Sequence, residues 1–490
     1  MSLFAQRPKE EVHGIIIILA FAASRFLFFL KGGSFLAQPL NFAMQYLDPV
    51  LLKEDLLQSL LYLHSQPPLF NLLLGMCLKI SPDPGLTYAV LFKTAGVVMP
   101  LALYGVLAGL GIAPGAALGA AVFFMLNPTS ILYENFLYYT YPEAFFILMA
   151  IFFFLRWLTG KKNPDLFFFW AMLLCLGLVR SLFHPAFFLF IAGALGLYLY
   201  RRSPEGKKRW KKFIFSSSLV LVPLLFLCLK NFMLFGFFGT SSWDGMSLWI
   251  KANSYSRDAL EELYSRGLIS SLAVQAELET FRPLAQYPES EALRKADCHH
   301  PADCNEWKST GKPNYNHAGY VALSRQLWKD ALSLIKSDPG LFAFYTAGSY
   351  SLTLWYSSDS VQGLFEKNME IVKRLESLYR FLYFGFLGVR NKHADPLMWL
   401  RTALITAFFV FFYAATIVNL LRKENRASPA SAAVCLLCLL IHAYTLAVSS
   451  LIEFGENNRF RFPVDSAFLV LMAGNVMLWI KRLKKKGASS

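Results

Sequence analysis

The sequence predicts an all-α polytopic membrane protein, with about ten spanning helices in a transmembrane bundle and a large loop domain on the non-cytoplasmic side. Three observations carry that expectation. Of 490 residues, 56% are hydrophobic and 16% charged, against about 25% charged in soluble domains, so the apolar excess must be covered by lipid. Apolar segments long enough to cross a bilayer recur along the chain. Basic residues gather in short runs beside those segments, at Lys161-Lys162, Arg201 to Lys212, Arg422 to Arg426 and Lys481 to Lys486, which is the positive-inside pattern of cytoplasmic loops.

That placement also decides what the net charge of +15 means. Charge divided among runs flanking apolar helices is a topology signal rather than a groove for phosphodiesters, so no nucleic-acid partner is expected. The phenylalanines, 46 of them, suit lipid-facing and interfacial helix surfaces. Cys77, Cys175, Cys228, Cys435 and Cys438 lie in apolar segments and read as packing residues. Cys298 and Cys304 lie in a polar loop instead.

Taken in order, Gly14–Leu30 reads as a retained first helix rather than a cleaved leader. It runs outward and leaves residues 31–66 as a first outer loop. Leu86–Leu110, Pro114–Leu126, Pro142–Leu158, Leu166–Val179, Pro185–Tyr200 and Phe213–Leu229 follow as spans and close an N-terminal module over residues 1–235. The segment 67–80 is short enough to read as interfacial or re-entrant. Leaving it out of the count puts both Lys161-Lys162 and Arg201–Lys212 inside. Residues 236–398 form an outer domain, polar from Thr240 to Lys336 and then moderately apolar at 341–355 and 378–389. Those two stretches either both span or both lie on the membrane surface, and surface helices are the preferred reading. Trp399–Leu421, Ser431–Leu451 and Pro463–Ile480 complete the chain over 399–490, with both termini cytoplasmic.

This topology gathers unusual polar residues at the outer face. The first outer loop carries Asp48, Lys53, Glu54, Asp55 and His64; the next turn holds Asn127, Glu134 and Tyr138; later turns hold Arg180 with His184, and Glu456 with Arg459 and Arg461. Outward arginines run against the positive-inside rule, so Arg180, Arg459 and Arg461 want a reason. An anionic ligand such as a lipid phosphate supplies one. The plainer alternative is that helix-end residues pair with one another, for example Glu456 with Arg459.

The motifs in these turns resemble those of the GT-C superfamily, membrane glycosyltransferases that take sugar from a polyprenyl-phosphate donor, and most of all its bacterial relatives of protein O-mannosyltransferases and aminoarabinose transferases. The likeness rests on Tyr46-Leu47-Asp48-Pro49 with Glu54-Asp55, on His64-Ser-Gln-Pro67-Pro68-Leu69, on Asn127-Pro leading to Glu134 and Tyr141-Pro142, and on Arg459-Phe-Arg461-Phe-Pro463. The family's acidic pair stands here in reversed order, and two residues separate His64 from the prolines.

The resemblance implies an active site outside a bacterial inner membrane. A carboxylate there takes the proton of an acceptor hydroxyl, and cations stabilise the departing phosphate. Asp48 is the first candidate base, followed by Asp55 and Glu54; Asp48 also suits the N-cap of a short helix begun by Pro49. Arg180, His184, Arg459, Arg461 and Lys53 are phosphate candidates, and Glu134, Tyr138, His64 and Asn316 line the sugar or acceptor side. The acceptor is a glycan, a lipid or a protein. No Asp-x-Asp motif occurs, so no metal and no other cofactor is expected.

In the outer domain, Asp297-Cys298-His299-His300-Pro301-Ala302-Asp303-Cys304 offers metal ligands, yet adjacent histidines rarely fit one tetrahedral site. A Cys298–Cys304 disulfide in an oxidising compartment is the better reading. The polar stretch from Lys308 to His317 suits either acceptor binding or packing on the membrane domain. Competing functions are an O-antigen ligase or polymerase, a lipid-linked sugar transporter or flippase, and a structural scaffold. The missing internal repeat argues against the transporter.

Overall fold

A computed structural model describes residues 8–487 except 161, 203–205, 252–254, 276–280, 288–289, 356–361, 385–396, 423–428 and 456. Helices dominate, and the β pairing described is two isolated bridges, Leu36 with Phe136 and Trp307 with Pro313. Seven helices are long and apolar enough to cross a membrane: Glu10–Leu30, Pro84–Leu110, Thr140–Gly160, Lys207–Phe235, Met398–Leu421, Ala430–Ile452 and Phe462–Leu483. The chain is an all-α polytopic integral membrane protein.

All ten expected spans fall on helices, and seven of them meet this length and hydropathy test. Pro114–Leu126 and Pro128–Glu134 form one bent pair, broken by 55°. The cause is local: Pro128 pushes Asn127 out of helical geometry, and the Asn127 side chain then caps the second helix by accepting from Thr129 N at 3.0 Å. Asn163–Val179 and Leu69–Ile80 are shorter apolar helices. Pro185–Arg202 ends in Arg201 and Arg202, which shorten its apolar part.

Burial separates the spans into inner and outer ones. Thr140–Gly160, Ala430–Ile452 and Phe462–Leu483 are more than half buried, whereas Met398–Leu421, at 22%, shows most of its surface to lipid. Thr140–Gly160 sits centrally, against Asn163–Val179, Pro84–Leu110, Pro429–Ile452 and Phe462–Gly487.

The stretch between the Lys207–Phe235 and Met398–Leu421 helices has a core of its own, in which Trp243, Met246, Trp249, Leu260, Tyr320, Leu323 and Leu327 are buried. Its helices Asp244–Trp249 and Gly319–Ser337 cross so closely that a Cβ on Gly245 would lie 1.8 Å from the Ser324 carbonyl oxygen, which restricts that position to glycine. After Asp338 caps Leu341 N at 2.8 Å, Pro339–Thr353 packs against Pro429–Ile452. Thr353 meets Ser450 at 3.2 Å and Ser351 meets Thr402 at 2.7 Å. The stretch 341–355 is thus held on the bundle by buried hydroxyls rather than resting on the membrane surface alone. Gln362–Phe384 is amphipathic and touches the loop after the first helix and the end of the Pro114–Leu126 helix: Asn368 donates to Ser34 O at 2.9 Å and Tyr379 donates to Phe123 O at 2.7 Å. The later part of 378–389 lies outside the described residues.

Candidate functional site

Where this second core meets the helix bundle lies a cavity of about 330 Å³. Five pieces of chain wall it: Pro39 to Gln45 and Gln66 from the stretch between the first two spans, Phe136 to Tyr139, the turn Arg180–Leu182, Ile452 with Glu453, Arg459 and Phe460, and Trp243, Ser247, Ile250 and Phe281 from the second core. Its volume falls within the range of small-molecule sites.

Two guanidinium groups enter it. Arg180 ends the Asn163–Val179 helix and forms an ion pair with buried Glu143 of the Thr140–Gly160 helix. Its guanidinium lies 3.9 Å from the centre of the Phe460 ring and 5.2 Å from that of Tyr139. Arg459 sits in the short 3-10 turn Asn457–Phe460, donates to Tyr138 Oη at 3.0 Å and lies 5.2 Å from the Phe460 ring centre. The Phe460 ring therefore serves both cations.

Glu453, just past the end of the Pro429–Ile452 helix, lines the same cavity, and its Oε1 accepts from Phe454 N at 3.2 Å. Its backbone carbonyl accepts from Asn457 Nδ2 at 2.9 Å and from Lys251 Nζ at 3.3 Å, and Lys251 also donates to Ser349 Oγ at 2.6 Å. Burial pushes the Lys251 ammonium down to about 8, although the nearby Glu453 charge works the other way. Gln45 and Gln66 add amide donors and acceptors; Trp243, Phe281, Tyr138 and Tyr139 add flat apolar faces. The arrangement suits an anion attached to a ring that stacks.

Of the residues singled out by sequence, Arg180, Arg459 and Tyr138 come together here. Asp48 does not line the cavity. It caps Pro49–Glu54 through Val50 N at 2.9 Å and accepts from Ser309 N at 2.5 Å and Ser309 Oγ at 2.6 Å. Asp55 is bonded to His300 Nε2 at 3.0 Å, and Tyr62 stacks on both His299 and His300. Glu54 and Lys53 are exposed beside that contact. Cys298 and Cys304 are joined by a disulfide that closes the same loop. Neighbouring Lys308 is buried with its Nζ on Ala43 O at 2.9 Å, and burial lowers it to about 8.

His64 is buried, with Nδ1 2.8 Å from Ser242 Oγ; burial, and after it the Lys230 charge, holds its imidazole at about 3 and so neutral. The Asn316 side chain accepts from His64 N and Ser65 N at 2.9 and 3.0 Å and donates to Tyr62 O at 3.0 Å. Both residues therefore fasten the 62–65 stretch to the 242–316 part of the chain rather than facing the cavity.

Glu134 is fully buried within a triad. Arg25 reaches it through Nη2 at 2.5 Å, Lys93 through Nζ at 2.5 Å, and Tyr141 Oη lies 3.3 Å away. With two cations already on it, it is not a cavity residue. His184 lies outside the cavity lining, its Nδ1 accepting from Ala186 N at 3.3 Å; burial lowers its pKa. Arg461 turns away from Arg459, donating to the carbonyls of Leu354 and Trp355 at 2.8 and 2.7 Å and to Asp465 at 3.2 Å. Glu456 lies outside the described residues.

Sequence reading passed over Gln45, Gln66, Glu143, Lys251 and Glu453. Glu453 carried a usable signal, a carboxylate just beyond a long apolar run and six residues before Arg459. Among the described residues no group of three or more His, Cys, Asp or Glu could hold a metal ion. Compared with protein-family models, curated proteins and solved structures, the chain finds no match.

Proposed function

We propose that this protein is a glycosyltransferase that moves a sugar from a polyprenyl-phosphate donor to an acceptor hydroxyl at the extracytoplasmic membrane face. The observation that carries the reading is the convergence of Arg180 and Arg459 on one cavity that also holds Glu453, amide groups and aromatic faces. In this mechanism the acceptor oxygen attacks the anomeric carbon while the bond from that carbon to the phosphate oxygen breaks. The acceptor proton passes to the Glu453 carboxylate, and the charge gathering on the departing phosphate is met by Arg180 and Arg459. Aromatic faces and the glutamines hold the ring in line, which supplies the proximity such a displacement needs.

Glu453 replaces Asp48 as the proposed base, because Glu453 lines the cavity that Arg180 and Arg459 enter and Asp48 does not. The test is purified protein with a polyprenyl-phosphate sugar and an acceptor extract, following donor loss. Glu453→Gln should reduce turnover by about 10²–10⁴. Cysteine labelling of intact cells should reach position 453 from outside and position 208 from inside. Unchanged turnover in Glu453→Gln, or labelling of position 453 from inside, would refute the proposal.

A further inference from the structure

A second cavity, of about 480 Å³, opens on the side of the bundle. No residue lining it lines the first cavity. The two lie on opposite sides of one short turn, with Arg459 facing the first and Arg461 the second.

Its chemistry changes along its length. On the Met398–Leu421 helix the lining residues run Arg401, Leu404, Phe408; on the last helix they run from Arg461 just before it through Asp465 and Phe468 to Met472. Steps of three or four residues keep each set on one helix face. Arg461 and Met472 are about 16 Å apart along the axis. Along these two helices the charged residues Arg401, Arg461 and Asp465 are collected at one end and the deeper lining positions are apolar, while Asn127 and Thr129 add polar groups from the bent pair. Arg401 is buried with its guanidinium 4.6 Å from the Trp355 ring centre. At the rim, Leu404 and Phe408 are half exposed, as is Leu382 of the amphipathic Gln362–Phe384 helix. Arg461 is paired with Asp465 at 3.2 Å, so two guanidinium groups and one carboxylate leave this end with a net charge of one positive unit. A lateral opening with a net positive end and an apolar bore matches a lipid with an anionic head.

We propose that this lateral cavity binds one anionic phospholipid from the surrounding bilayer, with its phosphate at Arg401 and Arg461 and an acyl chain along Phe408 and Met472. The inference goes beyond the glycosyl-transfer reading and does not rest on it. A phospholipid is favoured over the chain of a sugar donor because the two cavities share no wall.

The test is native mass spectrometry of full-length protein extracted from nanodiscs of phosphatidylcholine containing phosphatidylglycerol. One phosphatidylglycerol per chain should survive extraction in preference to phosphatidylcholine. Arg401→Ala with Arg461→Ala should lower that retention about tenfold or more. Met472→Trp, which fills the bore and leaves the charges in place, should lower it as well, and this second variant keeps the test decisive if the arginine variant does not fold. Millimolar inorganic phosphate should not displace the lipid, since the chain contributes most of the burial. Equal retention of the two lipids, retention unchanged in Met472→Trp, or displacement by free phosphate would overturn the proposal. So would displacement by a polyprenyl phosphate at equimolar amount, which would assign the bore to the donor instead.

Discussion

Replacing Asp48 with asparagine separates a structural carboxylate from a catalytic one. Asp48 Oδ1 accepts from Val50 N and Ser309 Oγ, and Oδ2 accepts from Ser309 N at 2.5 Å. Asparagine retains one acceptor oxygen. If that oxygen takes the Oδ1 position, its amide points two hydrogens at the Ser309 N–H, a donor against a donor. Hydrogen bonds to a charged group contribute about 1.5–3 kcal/mol each, and Asp48 is 8% exposed, so little water replaces them. Losing one such bond and weakening a second amounts to about 2–4 kcal/mol of docking between the Ser309 turn and the Pro49–Glu54 helix. The cap on Val50 alone would have left asparagine nearly neutral, so the cost comes from Ser309. Ser309→Ala removes only the hydroxyl bond to Oδ1 and keeps the backbone N–H on Oδ2. A double-mutant cycle read by thermal unfolding of the purified protein should therefore return a coupling of about 1 kcal/mol, the weakening of that one bond. Turnover per folded molecule should stay within a few-fold of the parent. A fall of about 10²–10⁴ in turnover with unchanged stability and no coupling to Ser309 would show that Asp48 is the base and that this reasoning is wrong.

Arg180→Ala and Arg459→Ala should each weaken binding of a lipid-phosphate donor by about 10–100-fold, measured by titration, and lysine should rescue only part because it lacks the planar fork. Glu134→Gln leaves Arg25 and Lys93 facing each other in a buried place and should cost about 3–5 kcal/mol, visible as lost detergent stability. Burial lowers Lys308 from 10.5 to about 8, so between those values the unfolded chain binds the extra proton. Stability should therefore rise as pH goes from 8 towards 10.5, and Lys308→Met should flatten that part of the profile in a thermal-shift series.

How much of the site was legible depends on the kind of signal each residue carried. Arg180 and Arg459 stand out in the sequence because charge at the outer end of an apolar helix is unfavourable without a partner, and both reach the cavity. Asp48, His64, Glu134 and Asn316 looked equally pointed. Each is committed elsewhere, to Ser309, Ser242, Arg25 with Lys93, and the 62–65 backbone. A carboxylate or imidazole has the same appearance in a sequence whether it meets substrate or another part of the chain.

The sequence by itself determined the membrane class, because hydropathy and charge runs are summed along the chain and need no knowledge of what packs on what. It also determined the break at Asn127-Pro128, which follows from proline's local sterics. Tertiary structure alone decided that Glu453 shares a cavity with Arg180, Tyr139 and Trp243, residues drawn from distant parts of the chain. It also decided that Arg459 and Arg461, two positions apart, serve different cavities. The reason is geometric: in a tight turn neighbouring side chains point to different sides, and only the surrounding helices determine what each one meets.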